Sequence, residues 1–292
     1  MLEVRSSILQ AIRSFFLGKD FYEVETPVRI PVPALELHID AEPSGYAFLR
    51  TSPEFHMKRL LSEGASRIFQ VGPCFRRGEK GNYHGPEFTM LEWYRAGSCY
   101  TDILRDIEGL ILSVAENLKQ GYSFTYRGSR IDVSLPWERV RVDEAFMNHA
   151  GWNPFIERDD NRFDRDMVEK VEPSFFREKP VILTDYPPYA AGLGRISKKD
   201  GFLFAERWEL YIGGLELANA CTELTDAAEH RNRFSEWAEK RRIAGSEVYP
   251  VDEAFMQTLE TGLPECAGAA AGVDRLAMLF CDAASIDDVR AF

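Results

Sequence analysis

Apolar residues recur along this chain with two periods, and the changes between them outline its elements. Residues 2–17 place Ile8, Ile12, Phe15 and Phe16 at helical spacing, and Gly18 closes that helix. Phe21 to Val28 reads as a strand ending in Thr26-Pro27, and the proline-rich residues 29–45 read as a loop. A short strand, Phe48 to Thr51, leads into Ser52-Pro53. There a capping serine and a first-turn proline, whose missing N–H costs nothing, open a helix that Gly64 ends. Ile68–Phe75 and Phe88–Tyr94 are strand-like runs joined by the polar, glycine-rich stretch Arg76–Gly85, which predicts an antiparallel pair with a long connection. Asp102 to Leu118 is an amphipathic helix on Ile103, Ile107, Leu110, Ile111, Val114 and Leu118. Residues 130–175 have few apolar positions and many charges, which predicts short helices in an insertion. Val181–Thr184 is a buried strand before a Pro187-Pro188 turn, and Gly213-Gly214 between two strand-like runs predicts a two-residue hairpin. Helices follow at Asp226–Ala244, with Phe234 and Trp237 on its buried side, and at Asp252–Thr261. A small-residue run, Gly268 to Gly272, then enters a helix with Arg275 in its first turn.

The length of 292 residues allows one large domain or two small ones, and a hydrophobic content of 45% supports a sizeable core. Asp and Glu number 47 against 35 Lys and Arg, a formal charge of −12 that argues against a general polyanion binder. The five cysteines are odd in number and form no CxxC pair, so they read as reduced thiols of a cytoplasmic protein. No apolar run reaches the roughly 18 residues of a membrane helix, and the N-terminus has no signal-peptide pattern.

Alternation along Phe88–Tyr94 puts Phe88, Met90, Glu92 and Tyr94 on one face. A carboxylate inside an apolar strand is costly without a partner, so Glu92 must meet a cation from the protein or from a ligand. The glycine hairpin pairs Ile212 with Leu215, Tyr211 with Glu216 and Glu209 with Ala218, which sets Glu209 and Glu216 side by side. Such a pair suits Mg²⁺ shared with substrate phosphates; a solvated sheet face with incidental acids is the other reading. Glu223 has the opposite parity to Glu216 and joins the same pocket only through a bulge or bend. Arg275 at a helix N-terminus suits a phosphate, or else sits on the surface of a tightly packed strand–helix joint.

Three segments resemble, in order and spacing, motifs 1, 2 and 3 of class II aminoacyl-tRNA synthetases: Pro27 at the end of a helix–strand unit, the Phe75-Arg76…His84…Phe88 pair, and Gly272-Val-Asp-Arg275. The resemblance runs from Met1 to Phe292. It implies an α+β fold with an antiparallel sheet flanked by helices, one catalytic domain over 1–292 with a helical insertion at about 130–175, and a homodimer through the motif 1 helix. Thr51-Ser-Pro-Glu54, Phe88-Thr-Met-Leu-Glu92-Trp-Tyr94 and Glu216-Leu-Ala-Asn219-Ala-Cys-Thr-Glu223-Leu are similar to lysyl-tRNA synthetases. Met57-Lys-Arg-Leu-Leu61, Pro86 to Arg95 and Cys266 to Arg275 resemble a shortened branch of that family, the elongation factor P lysine (β-lysine) ligases. The chain starts at the motif 1 helix, so no anticodon-binding barrel is expected; with the acidic charge this argues against tRNA as a partner.

The resemblance implies ATP and Mg²⁺ as cofactors, lysine or (R)-β-lysine as substrate, and elongation factor P as acceptor of the activated amino acid. It makes Arg76 and Arg275 the catalytic pair: Arg76 holds the α-phosphate and the substrate carboxylate, and Arg275 contacts the phosphates. Phe88 stacks on adenine, and Arg77, Gly78, Glu79, His84, Gly85, Glu216, Leu217 and Gly272 fall at nucleotide-binding positions. Glu209 and Glu216 hold the metal. Glu92, Tyr94 and Glu223 receive the terminal ammonium; Ser52, Pro53 and Glu54 face the amino group near the carboxylate, with Asn219 in support, and Ala270 shapes the pocket floor. The sequence departs from the family pattern at Arg77-Gly78-Glu79, where the loop acid is displaced by one place, at Gly85 in place of asparagine, and at Cys221 in place of an aromatic residue. A lysyl-tRNA synthetase-like enzyme charging tRNA or a small acceptor, and a non-catalytic regulatory paralogue, are the alternatives.

Overall fold

The computed structural model describes residues 1–175, 178–199 and 201–291. Among them a nine-stranded sheet forms the frame. Its strands are β1 (Tyr22–Glu23), β2 (Arg67–Phe75), β3 (Glu87–Ala96), β4 (Glu138–Arg141), β5 (Val181–Tyr186), β6 (Ile196–Lys199), β7 (Phe202–Ile212), β8 (Leu215–Thr222) and β9 (Cys266–Gly272). In space they run β1-β2-β3-β9-β8-β7-β5-β4, with β6 also on β7. The two end pairs, β1–β2 and β5–β4, are parallel and the rest antiparallel. The predicted antiparallel pair, β2 and β3, keeps register from Arg67↔Arg95 to Phe75↔Glu87.

Helices α1 (Leu2–Leu17), α2 (Glu54–Ser62), α3 (Tyr100–Asn117), α4 (Val142–His149), α5 (Asp160–Asp166), α6 (Ala227–Ile243), α7 (Glu253–Gly262) and α8 (Val273–Cys281) cover the sheet. Strand alternation separates two faces. On one, Phe69, Leu91, Trp93, Ala267, Ala269 and Leu210 pack beneath α1, α3 and α8 in one continuous core. The other face is covered only at its ends. At one end Ile68, Tyr94 and Cys266 meet α2, α6 and α7 through Phe55, Phe234, Phe255 and Leu259. At the other, Val181, Leu183, Ala205 and Tyr211 meet Phe146 and Phe163 of α4 and α5. The middle of that face stays open.

Three expectations need correction. The strand expected over 21–28 is only β1, because Thr26 turns its N–H and hydroxyl to the Gln70 side-chain oxygen instead of a neighbouring backbone. Ser52 does accept the Glu54 N–H at 3.0 Å, but Pro53 occupies the cap position of α2. The stretch 130–175 is not purely helical: β4 joins the sheet edge beside β5. Composition hid this strand because its arginines find partners at the edge, Arg139 on Glu108 at 3.1 Å and Arg141 on Asp143 at 3.0 Å.

Candidate active site

The open middle of the sheet floors a cavity of about 640 Å³. Register decides which side chains reach it. Glu92 lies opposite Ala270, Ala270 opposite Asn219, and Asn219 opposite Glu209. One row across four strands therefore has a carboxylate at each end, with a methyl and an amide between. The next row runs Tyr94, Gly268, Cys221 and Arg207. Gly268 is what lets the Tyr94 ring lie on this floor, since a Cβ there would stand 2.2 Å from Tyr94 Cδ1.

The glycine turn forms as expected, with positive φ at Gly213 and Gly214 and the pairs Ile212↔Leu215 and Tyr211↔Glu216. The third expected pair is wrong. A β-bulge leaves Leu217 without a partner, so Glu209 faces Asn219 instead of Ala218. The same extra residue reverses parity beyond it. Glu216 thus shares its face with Asn219, Cys221 and Glu223, and all four line the cavity together with Glu209.

At one end of the cavity sit Ser52, Glu54, Glu92, Tyr94 and Glu223. Ser52 donates to Glu92 at 2.8 Å, and no cation of the described residues pairs with Glu92. Burial, reinforced by the nearby Glu54 charge, pushes the Glu92 carboxyl up to about 8. Burial likewise pushes Glu223 up to about 7, although Lys58 opposes the shift. Tyr94 stays a phenol because burial and the carboxylates hold it well above its usual range. Lys58 has no role expected from the sequence beyond its place in the stretch Met57–Leu61. It is completely buried, with its ammonium 2.5 Å from Glu54 and 2.6 Å from Glu223. The available signal was a lysine four residues after an acid on the apolar side of a helix, beside Phe55 and Leu61.

At the other end are Arg76, Glu79, His84, Gly85, Phe88, Glu209, Glu216, Leu217, Gly272 and Arg275. Arg76 lies over the Phe88 ring at 5.1 Å and near Glu79 at 3.7 Å, and its buried Nε has no hydrogen-bond partner. Arg275 donates to the Glu216 carbonyl at 2.6 Å and contacts His84 Nε2 at 2.7 Å, which ties motif 3 to the motif 2 loop. Burial and the Arg275 charge hold the His84 imidazole below its usual range. Burial and the Glu209 carboxylate raise Glu216. Glu172, for which the sequence suggests no role, is pushed to about 7 by burial and by Glu209 and Glu216.

Among the described residues no group of three or more His, Cys, Asp or Glu is arranged to hold a metal ion. The Glu209–Glu216 pair supplies two carboxylates whose mutual repulsion a cation would relieve, which fits Mg²⁺ completed by phosphate oxygens. Glu209 is meanwhile held by Arg207 at 2.5 Å and by the Tyr211 hydroxyl at 2.7 Å.

Some expected residues stand apart. Arg77 and Gly78 do not line the cavity; Arg77 reaches outward to Glu247 at 3.0 Å. Pro53 shapes the start of α2 without lining the cavity. Asn219 lines it, but its amide serves Arg207 and Glu209. Gly85 has a local reason for lacking a side chain: a Cβ would lie 2.7 Å from Arg290 Nη1. Trp237, expected in the core, is partly buried and lines the cavity. Glu36, between the short strands Arg29–Ile30 and Pro43–Ser44, lines it as well, with its carboxyl raised to about 7 by burial.

The family model described as tRNA synthetases class II (D, K and N) matches residues 1–292, and the chain belongs to that family. It is an ATP-dependent amino-acid ligase of this class. Its relatives include a protein of Proteus mirabilis named elongation factor P–(R)-β-lysine ligase, 37% identical over 303 residues, covering 99% of this chain and 93% of the relative. Proteins of the same name from Photorhabdus laumondii and Haemophilus influenzae are also 37% identical, with the same coverage.

Proposed function

We propose that this protein activates lysine or (R)-β-lysine with ATP and transfers it to a lysine side chain of elongation factor P. The observation that carries the reading is the division of one cavity floor. A buried carboxylate end suits ammonium groups, and an arginine end suits phosphates. The charge of Arg76 acts on the carboxyls of both Glu36 and Glu216.

In this reading Glu92, Tyr94 and Glu223 take the distal ammonium, and Ser52 and Glu54 the amino group nearer the carboxylate. Arg76 orients the substrate carboxylate against the α-phosphate, its free Nε being the unmatched donor. Phe88 offers a face for adenine, and Arg275 stabilises charge on the phosphates. Glu209 and Glu216 would hold Mg²⁺, which supplies charge neutralisation at the phosphates. A carboxylate oxygen attacks the α-phosphorus, the bond to the β-phosphate oxygen breaks, and pyrophosphate leaves. The acceptor amine then attacks the adenylate carbonyl, an amide forms, and AMP departs as the amine loses a proton. Positioning and fixed charges do the catalytic work, with no covalent enzyme intermediate. The relatives' printed name and the acidic charge support a protein acceptor over tRNA, and family membership supports a homodimer.

ATP–pyrophosphate exchange tests the activation step. The expected result is exchange stimulated by lysine or β-lysine; its absence with every diamino acid at ordinary Mg²⁺ concentration would overturn the reading.

A further inference from the structure

We propose that Lys58 sets the length of substrate the site accepts, by fixing the spacing of the two carboxylates that receive the two amino groups of a diamino acid. The inference rests on the functional reading above, in which Glu54 and Glu223 serve opposite ends of the substrate.

Lys58 Nζ stands 2.5 Å from Glu54 Oε1 and 2.6 Å from Glu223 Oε2, and its side chain is 0% exposed. Glu54 opens α2, while Glu223 follows β8. One ammonium therefore ties together two separate elements. Neutralising a buried lysine needs only one carboxylate; a second, from another element, fixes a distance. Among the described residues, Lys58 is the only cation within ion-pair reach of Glu54 or Glu223, and none pairs with Glu92. Each clamped carboxylate spends one oxygen on Lys58. Neither Glu54 Oε2 nor Glu223 Oε1 has a hydrogen-bond partner among the described residues. The Tyr94 ring, 6.0 Å from the ammonium, packs beside the clamp and is itself seated by Gly268. Without Lys58, the two carboxyl groups lose the ammonium they share, and no other ion pair among the described residues fixes their spacing. Burial opposes the lysine charge, yet Glu223 and Glu54 hold it well above the usual lysine range, so the clamp stays charged.

The test compares diamino acids differing by one methylene, using ATP–pyrophosphate exchange and, independently of turnover, calorimetric titration. The wild type should discriminate about 10- to 200-fold per methylene. In Lys58→Met the expected ratio falls to about threefold or less while the KM for ATP stays within about twofold. Lys58→Arg, whose longer, forked head would hold the two carboxylates farther apart, should move the optimum to a substrate one methylene longer. An unchanged ratio in Lys58→Met, with kcat/KM lowered uniformly, would overturn the proposal and leave Lys58 a purely structural tie. If Lys58→Met fails to fold by circular dichroism, Lys58→Arg decides: an unmoved optimum with the wild-type ratio overturns it. Failure of the activation reading looks different. The wild type would then show no exchange, while length-dependent binding that is lost in the variant would still support the clamp.

Discussion

Glu92 shows how a residue too costly to leave unpartnered becomes a site. Its carboxyl, pushed to about 8 by burial and the Glu54 charge, is protonated at neutral pH in the free protein. An arriving ammonium needs it ionised, so the KM for the amino acid should fall as pH rises from about 6 to about 8.5. Glu92→Gln should flatten that profile and lower kcat/KM on the order of 100-fold, with little change in the KM for ATP. The same shift affects stability. A carboxyl whose folded pKa is raised stabilises the fold in acid and loses that contribution as pH climbs through the folded value. The melting temperature of the ligand-free protein should therefore fall between about pH 5 and pH 8. Glu92→Gln should make the decline shallower, and an unchanged slope in differential scanning calorimetry would assign it to other groups. At the nucleotide end, Glu209→Gln and Glu216→Gln should each cut exchange at least about 100-fold and raise the Mg²⁺ concentration needed for half-maximal rate. A loss of rate with unaltered Mg²⁺ dependence would remove these carboxylates from the metal site.

At the scale of elements, the floor depends on two small features, a glycine and a bulge. Gly268→Ala should push the Tyr94 ring off the floor, costing about 1–3 kcal/mol of stability. It should also raise the KM for the amino acid more than that for ATP; equal effects on both would mean the ring does not shape the amine end. Much of the sheet could be read in the sequence because alternation reports faces directly. Phe88, Met90, Glu92 and Tyr94 share one face as expected, and the glycine pair turns where it should. The bulge at Leu217 could not be read, since nothing in a run of eight strand residues marks which one goes unpaired. It was nevertheless implied: Glu223 could join the pocket only if parity broke between it and Glu216. Strand β4 was hidden because edge arginines with ion partners leave the sparse apolar, highly charged composition that reads as short inserted helices. Lys58 was hidden because burial of a charge depends on partners distant in sequence, here Glu223.

For the whole molecule, the proposed function pairs a small dication as substrate with a protein acceptor. The formal charge of −12 leaves little to neutralise a polynucleotide backbone. Binding to bulk tRNA should accordingly be weak and vanish by about 0.15 M salt; tight, salt-resistant retention in a filter assay would contradict this. Among the described residues no helix is long and apolar enough to cross a membrane. In the proposed function one cavity activates a diamino acid and passes it to a protein. Intact-mass spectrometry of elongation factor P, incubated with this protein, ATP, Mg²⁺ and either lysine or (R)-β-lysine in separate reactions, tests it most directly. The expected product is elongation factor P carrying one lysyl or β-lysyl residue on a lysine side chain, dependent on ATP and abolished by Arg76→Ala. Unmodified elongation factor P alongside amino acid esterified to tRNA would contradict it.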